Sequence, residues 1–296
     1  MNKRQKSEKR FDTLMLGIPV VYYGIFMLLP CLAGLFFSLT DFGGYSLKFS
    51  FVGLYNYKKF FNDPAFWKSV VNYFKLYFAT VLVCFPLAYI SAIVLTKNKR
   101  LKERSIYRIL FFFPSTVPTL IIAIMWMTMY NPSFGVLNQW LGAVGIEAIQ
   151  WLGSSKWAII SVIIVVIWRQ FGFYLVYFMA GVSNVPQSIY ESALIDGASE
   201  WKQATRITIP LTWDVIKTSM LFYVMSAVNL GFGTVYVLTQ GGPDNASQVI
   251  SSYMYYQIAK LTDYGGASAI GVFMMLMTLL MALAILKLMK RETYEL

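Results

Sequence analysis

The sequence has no histidine and only two cysteines among its 296 residues. The absence of histidine excludes an imidazole base, a histidine metal ligand and a Ser-His-Asp triad, which argues against many enzymatic chemistries. Cys31 and Cys84 both lie in apolar runs, so they indicate buried thiols rather than a disulfide framework. Charged residues make up only 13% of the chain, about half the share of roughly 25% in soluble domains. This composition excludes a cytosolic globular protein and a disordered chain.

Hydrophobic residues make up 57% of the sequence and are concentrated in six stretches. Each stretch is long enough to cross roughly 30 Å of hydrocarbon as a helix. These stretches are residues 14–39, 70–95, 109–130, 157–182, 218–239 and 264–286. The first stretch is too long for a cleaved signal peptide and lacks a small-x-small cleavage site. The sequence therefore predicts an all-α membrane protein with six transmembrane helices in one domain, residues 14–286.

Lysine and arginine are unevenly divided between the two sets of alternating loops. Of 25 such residues, 17 lie in the two tails and in two of the loops, whereas six lie in the opposite loops. Because cytoplasmic segments retain the excess of lysine and arginine, we predict that both termini are cytoplasmic. The cytoplasmic segments then include an N-terminal tail (1–13), a loop (184–217) and a C-terminal tail (287–296).

All 14 carboxylates lie outside the six stretches or at their edges. Proton-coupled carriers often use an intramembrane Asp or Glu, so this distribution argues against proton-driven transport. Unwound backbone can bind sodium, which leaves a sodium-coupled carrier open. The chain also lacks the G-x-x-x-x-G-K-[ST] pattern that holds ATP phosphates. If the protein drives a solute across the membrane, the energy must come from elsewhere.

The loop between the fourth and fifth stretches predicts two short helices joined by a turn. Ser188 and Glu191 have the spacing of a capping box, which predicts a helix over 188–195. Gly197 suits a turn with positive φ, a second helix is predicted over 199–207, and Pro210 is expected to interrupt the backbone. The apolar side chains of these helices are Ile189, Ala193, Trp201 and Ile207. The pattern fits a docking elbow for another protein or an ordinary interfacial amphipathic helix.

The same loop resembles the EAA motif of permease subunits in binding-protein-dependent ABC importers. The motif elements are Glu191-Ser192-Ala193, Gly197 and Ile207-Thr208-Ile209-Pro210. Residues 191–198 are similar to the carbohydrate-uptake branch, of the maltose and glycerol-3-phosphate type. Further segments that resemble this branch are FVGLYNY (51–57), DPAFW (63–67), NPxxGxxN (131–138) and TQGGP (239–243). The chain departs from the pattern where Ser192 replaces alanine, Ala204 an aromatic residue and Gly233 an acidic residue.

The resemblance implies the type I ABC importer permease fold, in a multi-pass protein of the bacterial cytoplasmic membrane. It implies a second, homologous permease, two ABC ATPase subunits, an extracytoplasmic sugar-binding protein, a sugar or oligosaccharide substrate and lipid as partners, and no nucleic acid. ATP and Mg would be bound by the ATPases, with no catalytic residue, metal or cofactor in this chain. The residues implied to couple to the ATPase are Glu191, Ser192, Ala193, Asp196, Gly197, Trp201, Ile207 and Pro210.

A stripe of residues in the fifth stretch is a candidate sugar pathway. Ser226, Asn229, Phe232, Gly233 and Tyr236 share one side of a helix, and they combine the hydrogen-bonding groups and flat apolar faces that a sugar needs. Small polar residues also mediate helix packing in membranes, which is the alternative.

In the fourth stretch, Arg169 and Tyr174 are further candidates for the pathway. Arg169 is the charge deepest in a predicted span, and such residues are often functional. Snorkelling, or a pair with a carbonyl group of a neighbouring helix, is the alternative for Arg169. The rival hypothesis for the whole chain is a channel or facilitator that works without an ATPase.

Overall fold

A computed structural model of the chain describes residues 3–46, 48–97 and 103–290, with the backbone alone for 3–12 and 227–230. The described residues form helices and one isolated β-bridge, between Thr40 and Phe51, which confirms the predicted all-α class. The helices are α1 Lys3–Tyr23, α2 Leu29–Phe37, α3 Tyr55–Phe61, α4 Pro64–Ala79, α5 Phe85–Lys97, α6 Arg104–Thr116, α7 Thr119–Met129, α8 Val136–Ala143, α9 Ala158–Ser183, α10 Gln187–Ile195, α11 Glu200–Gln203, α12 Ile209–Leu211, α13 Trp213–Leu238, α14 Ile250–Leu261 and α15 Tyr264–Leu288.

Four continuous helical runs are long and apolar enough to cross a membrane, and two bent helix pairs could each form one more span. The four runs are Thr13–Phe37, Pro64–Lys97, Ala158–Ser183 and Tyr264–Leu288. They make the chain a multi-pass membrane protein. The bent pairs are α6 with α7, at 98°, and the two halves of α13, at 50°.

The predicted single helix over residues 109–130 is wrong. Val117 and Pro118 have extended backbones, with ψ of 137° and 136°, and separate α6 from α7. A proline disfavours the helical conformation of the residue before it, which explains why the break falls at Val117. This apolar stretch therefore changes direction part of the way along its length.

Each of the three π-helical turns in the described part of the chain ends two residues before a proline. The turns are Gly24–Leu28, Thr80–Cys84 and Ala204–Thr208, and the prolines are Pro30, Pro86 and Pro210. A proline lacks the N–H group and clashes with the carbonyl group four residues earlier, and a wider turn accommodates both effects. The predicted interruption at Pro210 is therefore wrong: the helix continues to Leu211, and the break falls at Thr212, where φ is −105° and ψ is 15°.

The chain divides into two compact units. The first unit contains the residues up to Asp63 and the segment Met254–Met275. Within this unit, the buried amide of Asn56 donates hydrogen bonds to the carbonyl groups of Ser38 and Thr40, at 2.9 and 2.8 Å. This amide fixes α3 against the segment that follows the first membrane-spanning run.

The second unit contains Pro64–Tyr253 and the chain from Leu276 onward, and α9 lies at its centre. Helices α5, α6 and α13 all pack against α9. Gly172 of α9 is buried where the helix crosses α6, directly against the backbone of Phe111. Large aromatic side chains fill the core beside it, namely Phe85, Tyr174, Phe178 and Tyr223.

Asn138 fixes the irregular segment that follows α8. Its buried amide donates to the carbonyl groups of Pro132 and Ile149, and its Oδ1 accepts from the backbone N–H of Ile149 and from Nε1 of Trp151, at 2.9 to 3.3 Å. These four hydrogen bonds give the asparagine of the NPxxGxxN segment a structural role.

Asn138→Ala is expected to destabilise the purified protein by about 1–3 kcal/mol, because it leaves buried polar groups unsatisfied. The measurement is the thermal unfolding midpoint in detergent. Gln139→Ala is the matched control, since Gln139 is exposed and donates one hydrogen bond, to Phe134 O. Equal midpoints for the two variants would show that the Asn138 bonds contribute little.

Candidate functional site

The loop after α9 forms a helical elbow, which we define as α10, the turn at residues 196–199 and α11. Gly197 has a φ of +71°, as predicted for the Asp-Gly turn. The backbone N–H of Gly197 donates to Leu194 O, and that of Ala198 donates to Ala193 O, at 3.0 and 2.9 Å. This is the Schellman arrangement that ends a helix with a left-handed residue, and it gives the turn a defined geometry.

The predicted capping box at Ser188 and Glu191 is wrong. Pro186 is the N-cap of α10 and makes no side-chain cap, while Ser188 lies inside the first turn. Pro186 has an extended ψ of 133°, so the last non-helical residue before α10 is Pro186 and not Ser188. The side-chain cap is instead at α11, where Ser199 Oγ accepts from the backbone N–H of Lys202 at 3.4 Å.

Three large apolar side chains project from the elbow, and together they define the elbow patch. Leu194 is 61% exposed, Ile195 is 88% exposed and Trp201 is 76% exposed. Glu191, Ser192, Asp196 and Gly197 are also exposed. Such a concentration of exposed apolar side chains beside carboxylates indicates an interaction surface. Sequence analysis identified Trp201 but missed Leu194 and Ile195.

The opposite side of the elbow packs into the protein. Ala193 and Tyr190 are buried, while Ile207 and Pro210, which follow the elbow in the chain, are half-buried. Tyr190 OH lies 3.1 Å from Thr208 Oγ1, and Lys97 Nζ lies 3.6 Å from the centre of the Tyr190 ring. Burial raises the pKa of Tyr190 above its ordinary value, and the hydrogen bond to Thr208 offsets only part of that rise. Tyr190 is therefore a neutral hydrogen-bonding group at physiological pH.

The predicted sugar stripe spans the bend in α13. Ser226 belongs to the first half and donates to the carbonyl groups of Phe222 and Tyr223 of its own helix. Phe232 and Tyr236 belong to the second half, where their rings stack with centroids 5.5 Å apart. The side chain of Asn229 lies outside the described residues. The shared role of these residues stays a prediction.

Gly233 brings the two bent helix pairs together. A β-carbon added at Gly233 would lie 3.3 Å from the side chain of Thr119, the first residue of α7. The break between α6 and α7 therefore lies beside the second half of α13. Breaks of this kind in transmembrane helices often accompany binding sites.

The two candidates on α9 have different surroundings. Tyr174 is only 2% exposed and lies between the rings of Phe85 and Tyr223, with centroids at 4.3 and 6.1 Å, which favours a role in packing. Arg169 Nε is buried without a hydrogen-bond partner among the described residues. The role of Arg169 in a substrate pathway stays a prediction.

Comparisons with known proteins agree on one family. Residues 84–293 match the family of binding-protein-dependent transport system inner membrane components. The chain is 33% identical to the diacetylchitobiose uptake system permease protein NgcF of Streptomyces coelicolor, over 96% of this chain and 83% of the relative. It is 32% identical to the trehalose/maltose transport system permease protein MalF of Thermococcus litoralis, over 97% and 96% of the two chains.

The fold is also shared with a solved structure. This chain superposes on a chain of a bacterial ABC transporter involved in the import of the acidic polysaccharide alginate, with a TM-score of 0.85 and 23% sequence identity. The match covers 99% of this chain and 100% of the other. The family match to residues 84–293 includes the elbow and the continuous spans Ala158–Ser183 and Tyr264–Leu288. The chain therefore belongs to the family of binding-protein-dependent transport system inner membrane components, as a permease of its carbohydrate-uptake branch.

Proposed function

We propose that this permease forms half of the translocation pathway of an ATP-driven importer for a sugar or oligosaccharide, and that its elbow docks on an ATPase. The exposed elbow patch carries the proposal, because Leu194, Ile195 and Trp201 leave a large apolar surface uncovered at the segment that resembles the EAA motif. The names of the relatives, which refer to diacetylchitobiose and to trehalose and maltose, support the substrate class.

The proposed assembly contains a second permease, two ATPase subunits and an extracytoplasmic binding protein. A related transporter was solved in complex with an alginate pentasaccharide-bound periplasmic protein, which supports the binding-protein partner. In this assembly ATP and Mg are bound by the ATPases, and the permease performs no covalent chemistry. The exposed carboxylates Glu191 and Asp196 are available to pair with basic groups on the ATPase.

We further propose that the elbow, both termini and the loop after α5 lie on the cytoplasmic side of a bacterial plasma membrane. Contacts within the second unit support this arrangement for the elbow, the end of α5 and the C-terminal segment. Lys97 at the end of α5 lies over Tyr190 of the elbow, and Trp213 Nε1 donates to the carbonyl group of Met289 at 3.0 Å. The elbow is therefore at the same end of the unit as the end of α5 and the segment after α15, and the excess of lysine and arginine favours the cytoplasmic side.

The mechanism follows from the connections of the elbow. The elbow follows α9 in the chain, and the π-helical turn Ala204–Thr208 and α12 connect it to α13, so a push on the elbow acts on both α9 and α13. ATP-driven closure of the ATPases moves the elbow, and the pathway then alternates between inward-facing and outward-facing states by largely rigid-body motion. The stacked pair Phe232 and Tyr236, on the second half of α13, would offer flat apolar faces to the sugar.

The double variant Ile195→Ser/Trp201→Ser is expected to lose most of its bound ATPase, because it removes two apolar side chains from the elbow patch. The measurement is the amount of ATPase that copurifies with the tagged permease when the cognate subunits are coexpressed. Hot-spot residues cost about 2 kcal/mol or more when they are removed, so the affinity should fall by about 30-fold or more.

Trp140→Ser/Val144→Ser is the matched control, since these side chains are 65% and 72% exposed but lie near α8 of the same unit. Undiminished ATPase recovery with the elbow variant would contradict docking at the patch. Sugar uptake by the wild-type permease in the absence of the ATPase would favour the facilitator hypothesis instead.

A further inference from the structure

We propose that a buried hydroxyl network braces the elbow against α5, and that Tyr190 and Thr212 are positioning residues that transmit the movement of the elbow to that helix. The proposal rests on the proposed docking of the elbow to an ATPase. It adds a connection that the chain path does not provide, because α5 is far from the elbow in sequence.

The first part of the network joins the elbow to the π-helical turn Ala204–Thr208. Thr208 Oγ1 donates to Gln203 O at 3.3 Å and shares a second hydrogen bond, at 3.1 Å, with Tyr190 OH. Tyr190, Gln203 and Thr208 are all buried. The hydroxyl of Tyr190 thus fixes α10 to Thr208, the last residue of the π-helical turn.

The second part joins the end of the same turn to α5. Thr212 Oγ1 donates to Thr208 O at 2.8 Å and shares a short hydrogen bond with Tyr89 OH. Tyr89 belongs to α5, and both Tyr89 and Thr212 are buried. Thr212 is also the residue at which the backbone breaks before α13. The helix break is therefore held by a side chain from another helix.

Lys97 provides a second connection from α5 to the elbow. Its ammonium group lies 3.6 Å from the centre of the Tyr190 ring, well within the range of a cation–π interaction. Lys97 also interacts electrostatically with Glu200, the first residue of α11. The end of α5 thus contacts α10 through the Tyr190 ring and interacts electrostatically with α11, whereas Tyr89 holds the break about two turns away along the same helix.

The network is suited to transmitting movement because it holds the chain on both sides of the π-helical turn Ala204–Thr208. Tyr190 holds the elbow before this turn, and Tyr89 holds Thr212 after it. π-Helical turns frequently occur at functional sites, and this one lies between the elbow and α13. The brace makes the elbow, α5 and the start of α13 move together. Without it, the elbow could move while the turn at 204–208 absorbed the displacement.

The test compares Tyr190→Phe and Thr212→Val with the wild-type protein in the complete complex, reconstituted in proteoliposomes with its binding protein. Maltose, trehalose and diacetylchitobiose are the probe sugars, and the one that the wild-type complex accumulates is used throughout. We expect the amount of bound ATPase to be unchanged and the uptake of sugar per ATP hydrolysed to fall by about 5-fold or more, the effect of one buried hydrogen bond.

Controls separate transmission from folding and from docking. Tyr190→Phe removes the hydroxyl but keeps the ring that Lys97 contacts. Lys97→Arg keeps the cation, so it should retain the amount of sugar taken up per ATP hydrolysed, which we call the coupling ratio. Lys97→Gln removes the cation and should lower this ratio. Ser183→Ala is the matched hydroxyl control, since Ser183 is exposed and its hydroxyl donates within α9, to Met179 O. An unchanged coupling ratio in both Tyr190→Phe and Thr212→Val would overturn the inference. Loss of bound ATPase in these variants would overturn it as well, because the network would then shape the docking surface.

Discussion

Replacing Gly172 with alanine is expected to abolish the folded permease. The new β-carbon would overlap the carbonyl group of Phe111 and approach the backbone of Phe112, where α9 crosses α6. Backbone atoms cannot rotate away as a side chain can, so the two helices must separate along the crossing. Overpacking of a core typically costs about 1–3 kcal/mol, and a clash with backbone should exceed that range. The measurement is the yield of monodisperse protein extracted from membranes, with its thermal midpoint.

Gly231→Ala is the matched control for this prediction. Gly231 is also a buried helical glycine, but the added carbon would meet only side chains, at 3.5 Å or more from Val249 and Leu76. It should therefore be tolerated, with a change in midpoint close to zero. A normal yield and midpoint for Gly172→Ala would mean that α6 and α9 are farther apart in the folded protein than this structure places them.

The helical class and most spans could be predicted because lipid imposes a length and a composition on each crossing. Hydropathy does not indicate where a helical stretch changes direction. Residues 109–130 are uncharged and mostly apolar, yet the chain bends by 98° between α6 and α7. Pro118 was the available signal, since it restricts Val117. A break is stable at this depth only where neighbouring helices cover it, as Thr119 is covered by α13 at Gly233.

The elbow was predictable to the extent that its geometry is local. Gly197 has the positive φ that an Asp-Gly turn favours, because only short-range sterics decide it. The exposed side chains depend instead on tertiary packing. Helix α10 carries apolar residues on several sides, and burial of Tyr190 and Ala193 leaves Leu194 and Ile195 outside. The contacts of Tyr190 with Lys97 and of Thr212 with Tyr89 join residues 93 and 123 positions apart, and no local pattern indicates them.

Tyr236→Ala is expected to reduce sugar uptake by about 5- to 150-fold per intact complex. Tyr236 is 43% exposed within this chain, and its ring stacks on Phe232. A flat aromatic surface suits the C–H face of a sugar ring, and the phenol can bond a sugar hydroxyl. Loss of both interactions should cost about 1–3 kcal/mol, which sets the expected range. The measurement is uptake of the probe sugar, divided by the amount of permease recovered with its ATPase.

Two further variants decide whether the ring or the hydroxyl of Tyr236 holds the sugar, and whether an aromatic residue elsewhere on α13 matters equally. Tyr236→Phe keeps the stacked pair, so it should retain most uptake if the ring face holds the sugar and lose it if the hydroxyl does. Phe222→Ala is the positional control, because Phe222 is 53% exposed but lies on the first half of α13, before the bend, where it contacts Tyr177 edge-on. It should transport normally. If Tyr236→Ala lowers uptake only as far as Phe222→Ala does, the second half of α13 serves packing, and the sugar passes along other residues.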